Sequence, residues 1–295
     1  MNTKITLVLF LLSSCLWSQN INKIIADAKG KPMLLGKTNK QAFKNKDFSW
    51  FEKNYDAYAV NTNVVKKLKN KMNDYTVKVF YGSWCGDSKR ELPKFYKVLD
   101  KVNFDAKNLE VYAVNKTKEA YKEAPNGEEK GLNVHRVPTF IFYKDGTEIG
   151  RIVEYPKQDF ERDISKIIEG KKYAPNYAVV HYLNALFKAK NLDKIKKEEV
   201  ELIPYLAEYT KGSRELNTYG YKLLRSNQID KALFVFQLNT KMYPYKWNVF
   251  DSYGEALYQA KKYKKALQSY STALALNPKK KEILETLQEI NNHIK

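Results

Sequence analysis

The sequence predicts an α/β unit, a mixed sheet flanked by helices, followed by an all-α repeat region. Three observations carry that prediction. Residues 76–170 alternate strand-like and helix-like segments, and residues 213–280 repeat with a period of 34. The chain has 295 residues, 43% of them hydrophobic and 14% aromatic, enough apolar material for more than one core. Gly, Pro and Cys number only 12, 9 and 2, which excludes a collagen-like or disulfide-dense scaffold. No apolar run reaches the roughly 18 residues a membrane-spanning helix needs.

Lys plus Arg is 52 against 33 for Asp plus Glu, a net charge of +19. A polycation of this size can bind phosphate backbones. Here, though, six arginines stand beside 46 lysines spread along the whole chain. Arginine is the side chain suited to bidentate phosphate contacts. The excess reads as a solvated lysine-rich surface, and nucleic acid is not an expected partner.

Residues 1–18 read as a signal peptide. Lys4 supplies the positive start, Ile5 to Leu12 an apolar run, and Ser13, Ser14 and Ser18 the small residues before cleavage. The expected location is therefore exported and periplasmic. Leu12-Ser13-Ser14-Cys15 also resembles a lipoprotein box, in which Cys15 would carry the lipid and a membrane would become a partner. Either processing leaves Cys85 as the one usable thiol, so no intramolecular disulfide is expected.

Residues 19–60 read as an N-terminal helical extension. Phe48, Phe51, Tyr55 and Tyr58 recur at helical spacing, as a core-facing stripe does. The α/β unit is expected over residues 61–172. A short amphipathic helix opens it, carrying Val64, Val65, Leu68 and Met72 after Asn63 as its cap. Thr76 to Tyr81 is a strand, and Gly82 to Ser88 a turn. A helix follows with Phe95, Val98, Leu99 and Val102 on one face. Further strands are expected at Leu109 to Val114, Thr139 to Tyr143 and Ile149 to Val153. Lys144-Asp145-Gly146 makes a hairpin turn between the last two. A helix with Phe160, Ile164, Ile167 and Ile168 closes the unit at Gly170.

Residues 173–212 read as connecting helices. Beyond them Tyr219, Gly220, Leu223, Ala232, Phe236 and Pro244 recur 34 positions on as Tyr253, Gly254, Leu257, Ala266, Tyr270 and Pro278. This pattern resembles the tetratricopeptide repeat, in which two helices cross closely where Gly and Ala sit and Pro ends the second. Two such repeats over residues 213–280 and a capping helix over 281–295 follow. Such arrays need at least three stacked units, so the connecting helices are expected to complete this one. The groove between repeats is the expected docking place for a peptide partner.

Chemistry is expected at Trp84-Cys85-Gly86-Asp87-Ser88. A cysteine where a strand ends and a helix begins meets unpaired N–H groups and the positive end of the helix dipole, which favour thiolate over thiol. Ser88, three residues on, is placed to put its hydroxyl beside the sulfur. Arg90 and Glu91 read as solvated helix charges and His135 as an ordinary loop histidine. The three histidines are too far apart in sequence to suggest a metal site, and no cofactor is expected.

Residues 76–170 resemble exported bacterial thioredoxin-like proteins. Trp84-Cys85-Gly86 matches the start of Trp-Cys-Gly-Pro-Cys, and Pro93 the proline that kinks the active-site helix. Arg136-Val137-Pro138-Thr139 matches the cis-proline loop, and Lys144-Asp145-Gly146 the hairpin after it. The resemblance implies a thioredoxin-like fold. It implies Cys85 and Ser88 at the reacting positions, and Trp84, Gly86, Asp87, Val137 and Pro138 against the substrate. Two departures stand out: Ser88 replaces the resolving cysteine, and Val79 replaces a buried aspartate. A dithiol reductase is thereby excluded, because releasing a mixed disulfide needs a second thiol.

What remains is monothiol thiol–disulfide exchange, isomerase- or reductase-like and resolved by an external thiol, on protein clients recruited by the repeats. The alternative is a non-catalytic adaptor. Cys85-Gly86-Asp87-Ser88 is also similar to the Cys-Gly-Phe-Ser of cluster-binding monothiol glutaredoxins, but Trp84, Pro93 and export argue against that reading.

Overall fold

The computed structural model describes residues 21–69 and 71–294. The signal peptide and Cys15 lie outside the described residues. The chain folds as the sheet-containing unit and the helical unit that its texture predicts.

The first unit is built on a five-stranded sheet in the order β3 (Gly36–Thr38), β5 (Leu109–Ala113), β4 (Thr76–Tyr81), β6 (Thr139–Lys144) and β7 (Thr147–Val153). β4 and β5 run parallel, with Val79 opposite Val111, and the other neighbours are antiparallel. Asp145 and Gly146 both take positive φ, as the two-residue hairpin between β6 and β7 requires.

Alternation along the central strands buries both faces. Val77, Val79 and Tyr81 point into a core shared with Phe140 and Phe142, while Phe80 and Ile141 point into a smaller core with Tyr112, Val134 and Val137. The larger core is capped by α3 (Gly86–Lys101) and α4 (Phe160–Ile168). There Phe95 lies 4.6 Å from Phe140 and 5.5 Å from Phe160, ring centre to ring centre. Full burial of such a ring contributes about 1.5–3 kcal/mol over leaving it exposed.

The N-terminal segment differs from the expected helical extension. β1 (Ile24–Ala26) and β2 (Pro32–Leu34) form a two-stranded hairpin, and β3 joins the main sheet as its edge. The sheet of the α/β unit therefore begins at Gly36, ahead of the expected boundary at 61. Three-residue strands are too short to display a period of two, so no alternation betrays them.

The aromatic stripe does face the core, over a shorter helix. Only Phe51 and Tyr55 lie within α1 (Trp50–Ala57). Phe48 sits in a preceding 3-10 turn, and Tyr58 is just past the helix end. α2 (Thr62–Leu68) is capped by the Asn61 side chain rather than by Asn63. Buried Glu161 of α4 accepts from Tyr58 Oη and Asn61 N, both at 2.7 Å, and so ties this segment to the sheet unit.

The second unit is all helix. α5 (Ala178–Ala189), α6 (Leu192–Lys197) and α7 (Glu199–Tyr209) connect to the pairs α8 (Ser213–Arg225) with α9 (Ile229–Met242) and α10 (Trp247–Gln259) with α11 (Tyr263–Leu276). α12 (Lys281–Ile294) follows. In both pairs a glycine is needed where the helices cross. A Cβ on Gly220 would come within 2.7 Å of the Phe236 ring, and one on Gly254 within 2.8 Å of the Tyr270 ring. Val179, Val180, Leu183, Ile195, Leu202 and Leu206 of the connecting helices are buried in the same core as the repeats. Among the described residues no helix is long and apolar enough to cross a membrane.

Candidate active site

Cys85 is the N-cap of α3, with extended backbone (φ −88°, ψ 129°), and its thiol is partly exposed. The sulfur lies 3.4 Å from the carbonyl of Val137, to which the thiol donates. Val137 precedes Pro138 through a cis peptide bond. The first turn of α3 and the loop before β6 thus meet at the sulfur, although they are 52 residues apart.

The neighbours of Cys85 divide into those the sulfur uses and those it does not. Trp84 folds back over the loop and donates from Nε1 to Val114 O at 3.0 Å. That fold depends on Gly82, where a Cβ would stand 2.7 Å from the indole. Gly86 is exposed with open space about it. Asp87 is held by Arg90 at 2.6 Å. Val137 buries its side chain and offers the sulfur its carbonyl.

Ser88 is where the structure departs from expectation. Its side chain is buried, and Oγ accepts from Gly82 N at 3.1 Å; no hydrogen bond joins it to Sγ. Gly82 N is the donor left over as β4 ends, and a buried N–H must find an acceptor. The hydroxyl serves the loop instead of the sulfur. Glu91 also differs from a solvated helix charge. It is 3% exposed and paired with Arg90 at 2.7 Å and Lys94 at 3.1 Å.

His135 is no ordinary loop histidine either. It is buried against Tyr177, His181 and Tyr219, with ring centres 5.6, 6.2 and 6.3 Å away. Burial first, and His181 next, hold it well below the usual histidine range. His181 is pushed down to about 3 by burial and then by Arg151. Among the described residues no three His, Cys, Asp or Glu side chains gather as a metal ion would require.

The family model described as Thioredoxin matches residues 38–162. Residues 38–162 form a thioredoxin-like domain. The Tetratricopeptide repeat model matches residues 247–280, which are α10, α11 and the turn that follows. The thioredoxin-like domain is similar to Thioredoxin H2 of Arabidopsis thaliana, 33% identical over 96 residues. That alignment covers 32% of this chain, and the chain spans 64% of that relative's length.

Two solved structures are also similar, each over 39% of this chain. A mutant of MamA matches at 18% identity and a TM-score of 0.33, over 82% of its own chain. The first TPR of Spaghetti (RPAP3), bound to an HSP90 peptide, matches at 15% and 0.28, over 90% of its chain.

The thioredoxin-like domain meets the helical unit through the segment between β5 and β6, which a sequence motif marked only at its end, from Arg136 onward. Its end, Arg136, donates to Glu154 at 3.3 Å, to Arg214 O at 3.3 Å and to Thr218 Oγ at 3.1 Å. The residue next to Val137 is thereby fastened to α8. Earlier in the segment Tyr121 packs 5.4 Å from Trp84, ring to ring. Lys122, 7% exposed, donates to His135 O at 2.9 Å. Burial, followed by the charge of Arg136, pushes Lys122 down to about 8. Glu129 faces Lys222 of α8 at 3.8 Å, with both side chains buried.

Proposed function

We propose that this chain is a redox-related protein whose one mature thiol, Cys85, carries out monothiol thiol–disulfide exchange on protein clients that its repeats recruit. The observation that carries the reading is the placement of the Cys85 thiol. It is partly exposed at the start of a 16-residue helix and faces the carbonyl before a cis proline. A thiol so placed is open to attack a disulfide. The mixed disulfide is then released by an external thiol, since the position three residues on is Ser88. Trp84, Gly86, Asp87, Val137 and Pro138 are the proposed substrate contacts. Ser88 acts by holding the Gly82 turn rather than by touching the sulfur.

The chain is further proposed to be exported to the periplasm, either soluble after cleavage behind Ser18 or anchored through a lipid on Cys15. The mass of the mature N-terminus distinguishes the two.

A second reading, a non-catalytic adaptor built from the same two units, draws on Ser88. With that hydroxyl turned to Gly82, no side chain among the described residues hydrogen-bonds the sulfur. Alkylation of reduced protein at neutral pH separates the readings. Exchange chemistry predicts that folded Cys85 reacts roughly tenfold faster than the same cysteine in denaturant. It also predicts disulfide-linked clients that vanish in Cys85→Ser. Alkylation no faster than in denaturant, with client binding unchanged in Cys85→Ser, would establish the adaptor.

A further inference from the structure

Between the thioredoxin-like domain and the repeats lies a cleft of about 630 Å³. Lys118, Tyr121, Lys122 and Arg136 line it from one side, and Arg225 of α8 and Glu255 of α10 from the other. Four cations thus face one carboxylate, and Glu255 already accepts from Tyr221 Oη at 2.6 Å. Among the described residues only Arg136 of the four has an ion-pair partner, Glu154. Lys122 spends one of its three N–H groups on His135 O and has no carboxylate at ion-pair distance, although Glu154 favours its charge from farther off. Nε of Arg136 and Nε of Arg225 are both shut from solvent with no acceptor. Cations withdrawn from water without a counter-charge are costly, and an anionic ligand would offset that cost.

The cleft is joined to the thiol through two short paths. Tyr121, with Lys122 Nζ 5.0 Å and the Arg225 guanidinium 5.7 Å from its ring centre, packs on Trp84. Arg136 precedes Val137, whose carbonyl faces Sγ. A volume of this size suits a small molecule or a few residues of peptide.

We infer that the cleft holds the carboxylates of a thiol or disulfide substrate while its sulfur is presented to Cys85. This rests on the exchange chemistry proposed above. The Cys85 thiolate attacks one substrate sulfur. A bond from Cys85 to that sulfur forms as the substrate S–S bond breaks, and the departing sulfur leaves as a thiolate that takes a proton from water. Cys85 is oxidised to the mixed disulfide, and one substrate sulfur is reduced. In the reverse direction an acidic thiol attacks the mixed disulfide and frees Cys85, supplying the second thiol that the chain lacks. The carboxylates belong either to a small acidic thiol or to acidic residues beside a client cysteine.

The test uses the mature full-length chain and the symmetric disulfides of three end-capped tripeptides, with cysteine flanked by Asp, Asn or Lys. Mixed-disulfide formation is followed by mass at physiological salt, where charges beyond about 8 Å are screened. The acidic probe should react about tenfold faster than the neutral one, and the basic probe slowest. Arg225→Gln and Lys118→Gln should each cut the ratio of acidic-probe to neutral-probe rates by about threefold. Exposed Lys264→Gln, outside the cleft, should change neither rate.

Rates indifferent to probe charge, or cleft variants that behave like Lys264→Gln, would overturn the cleft and leave the exchange reading standing. No adduct with any probe would remove both. The acidic cysteine set within a long unstructured peptide separates the two sources. An undiminished rate assigns the cleft to acidic protein segments, and a lost one to small acidic thiols.

Discussion

The two halves of the molecule reach their cores by opposite routes. In the thioredoxin-like domain, strands from distant parts of the chain must find one another: Gly36 pairs with Ala113, and Val79 with both Val111 and Phe140. In the repeats the decisive contacts are local and duplicated. Gly220 lies under Phe236 and Gly254 under Tyr270, each 16 residues on. Both cores are apolar, yet the seam between the halves is not. Glu129 and Lys222, His135 with His181, and Arg136 on Thr218 meet there, mostly buried. Burial is cheap for the cores and conditional for the seam, so the seam is where charge and pH should act.

The largest effect is expected from breaking the seam pair. Glu129→Ala leaves buried Lys222 with only the more distant Glu123 as counter-charge and takes the acceptor from Ala124 N, which Glu129 holds at 2.9 Å. Chemical unfolding should show a loss of about 3–5 kcal/mol. Pairing Glu129→Leu with Lys222→Met should recover part of that loss. A cost below about 1 kcal/mol would place the seam among surface contacts.

Acid should loosen the same seam. His181 is half-buried with Nε2 shut from solvent, and its value falls from 6.5 to about 3 in the fold. The unfolded chain therefore binds the proton first. The stabilisation is whole above about pH 6.5 and declines as pH falls toward about 3, by ~2 kcal/mol at pH 5. His135 shifts in the same direction, so it adds to the decline. His181→Phe should flatten the slope of stability against pH in this window, and an unaltered slope would assign it to other groups.

The local crossings should answer to one methyl group. Gly220→Ala and Gly254→Ala each press a Cβ on an aromatic ring, at about 1–3 kcal/mol less the helix propensity gained, near 1 kcal/mol. Thermal melts of the two variants should shift alike, because the geometry is duplicated. A shift in one alone would mean that the repeats are not equivalent. Ser88→Ala should cost least, about 1 kcal/mol for the Gly82 N–H left without its acceptor. Alkylation of Cys85 should change little, whereas a large rate loss would place the hydroxyl beside the sulfur after all.

Much of this was legible before folding. The strand at Thr76 to Tyr81 and the helix turn that follows it are written in local alternation and spacing. So is the 34-residue period, since each reflects neighbours that meet whatever the rest of the chain does. Cys85 and Pro138 were legible through resemblance. β1 to β3 were not, because strands of three residues carry no measurable period and are defined only by the partner that pairs with them. The sequence distance of Ser88 permits a bond to the sulfur, while the unsatisfied Gly82 N–H that captures its hydroxyl exists only once β4 has ended.

The sequence by itself determined the strands and helices from Thr76 onward, where the Cys85 thiol sits in its turn, and that Ser88 stands where a second thiol of that turn would. Those properties depend on residue type and short spacing. Only the tertiary structure decided what meets the thiol and what lines the cleft near it. Val137 arrives from 52 residues away, Tyr121 and Lys122 from a segment without a motif, and Arg225 and Glu255 from the repeats. No local period encodes which distant surfaces will share a boundary. Docking of two apolar cores across a charged seam settles that.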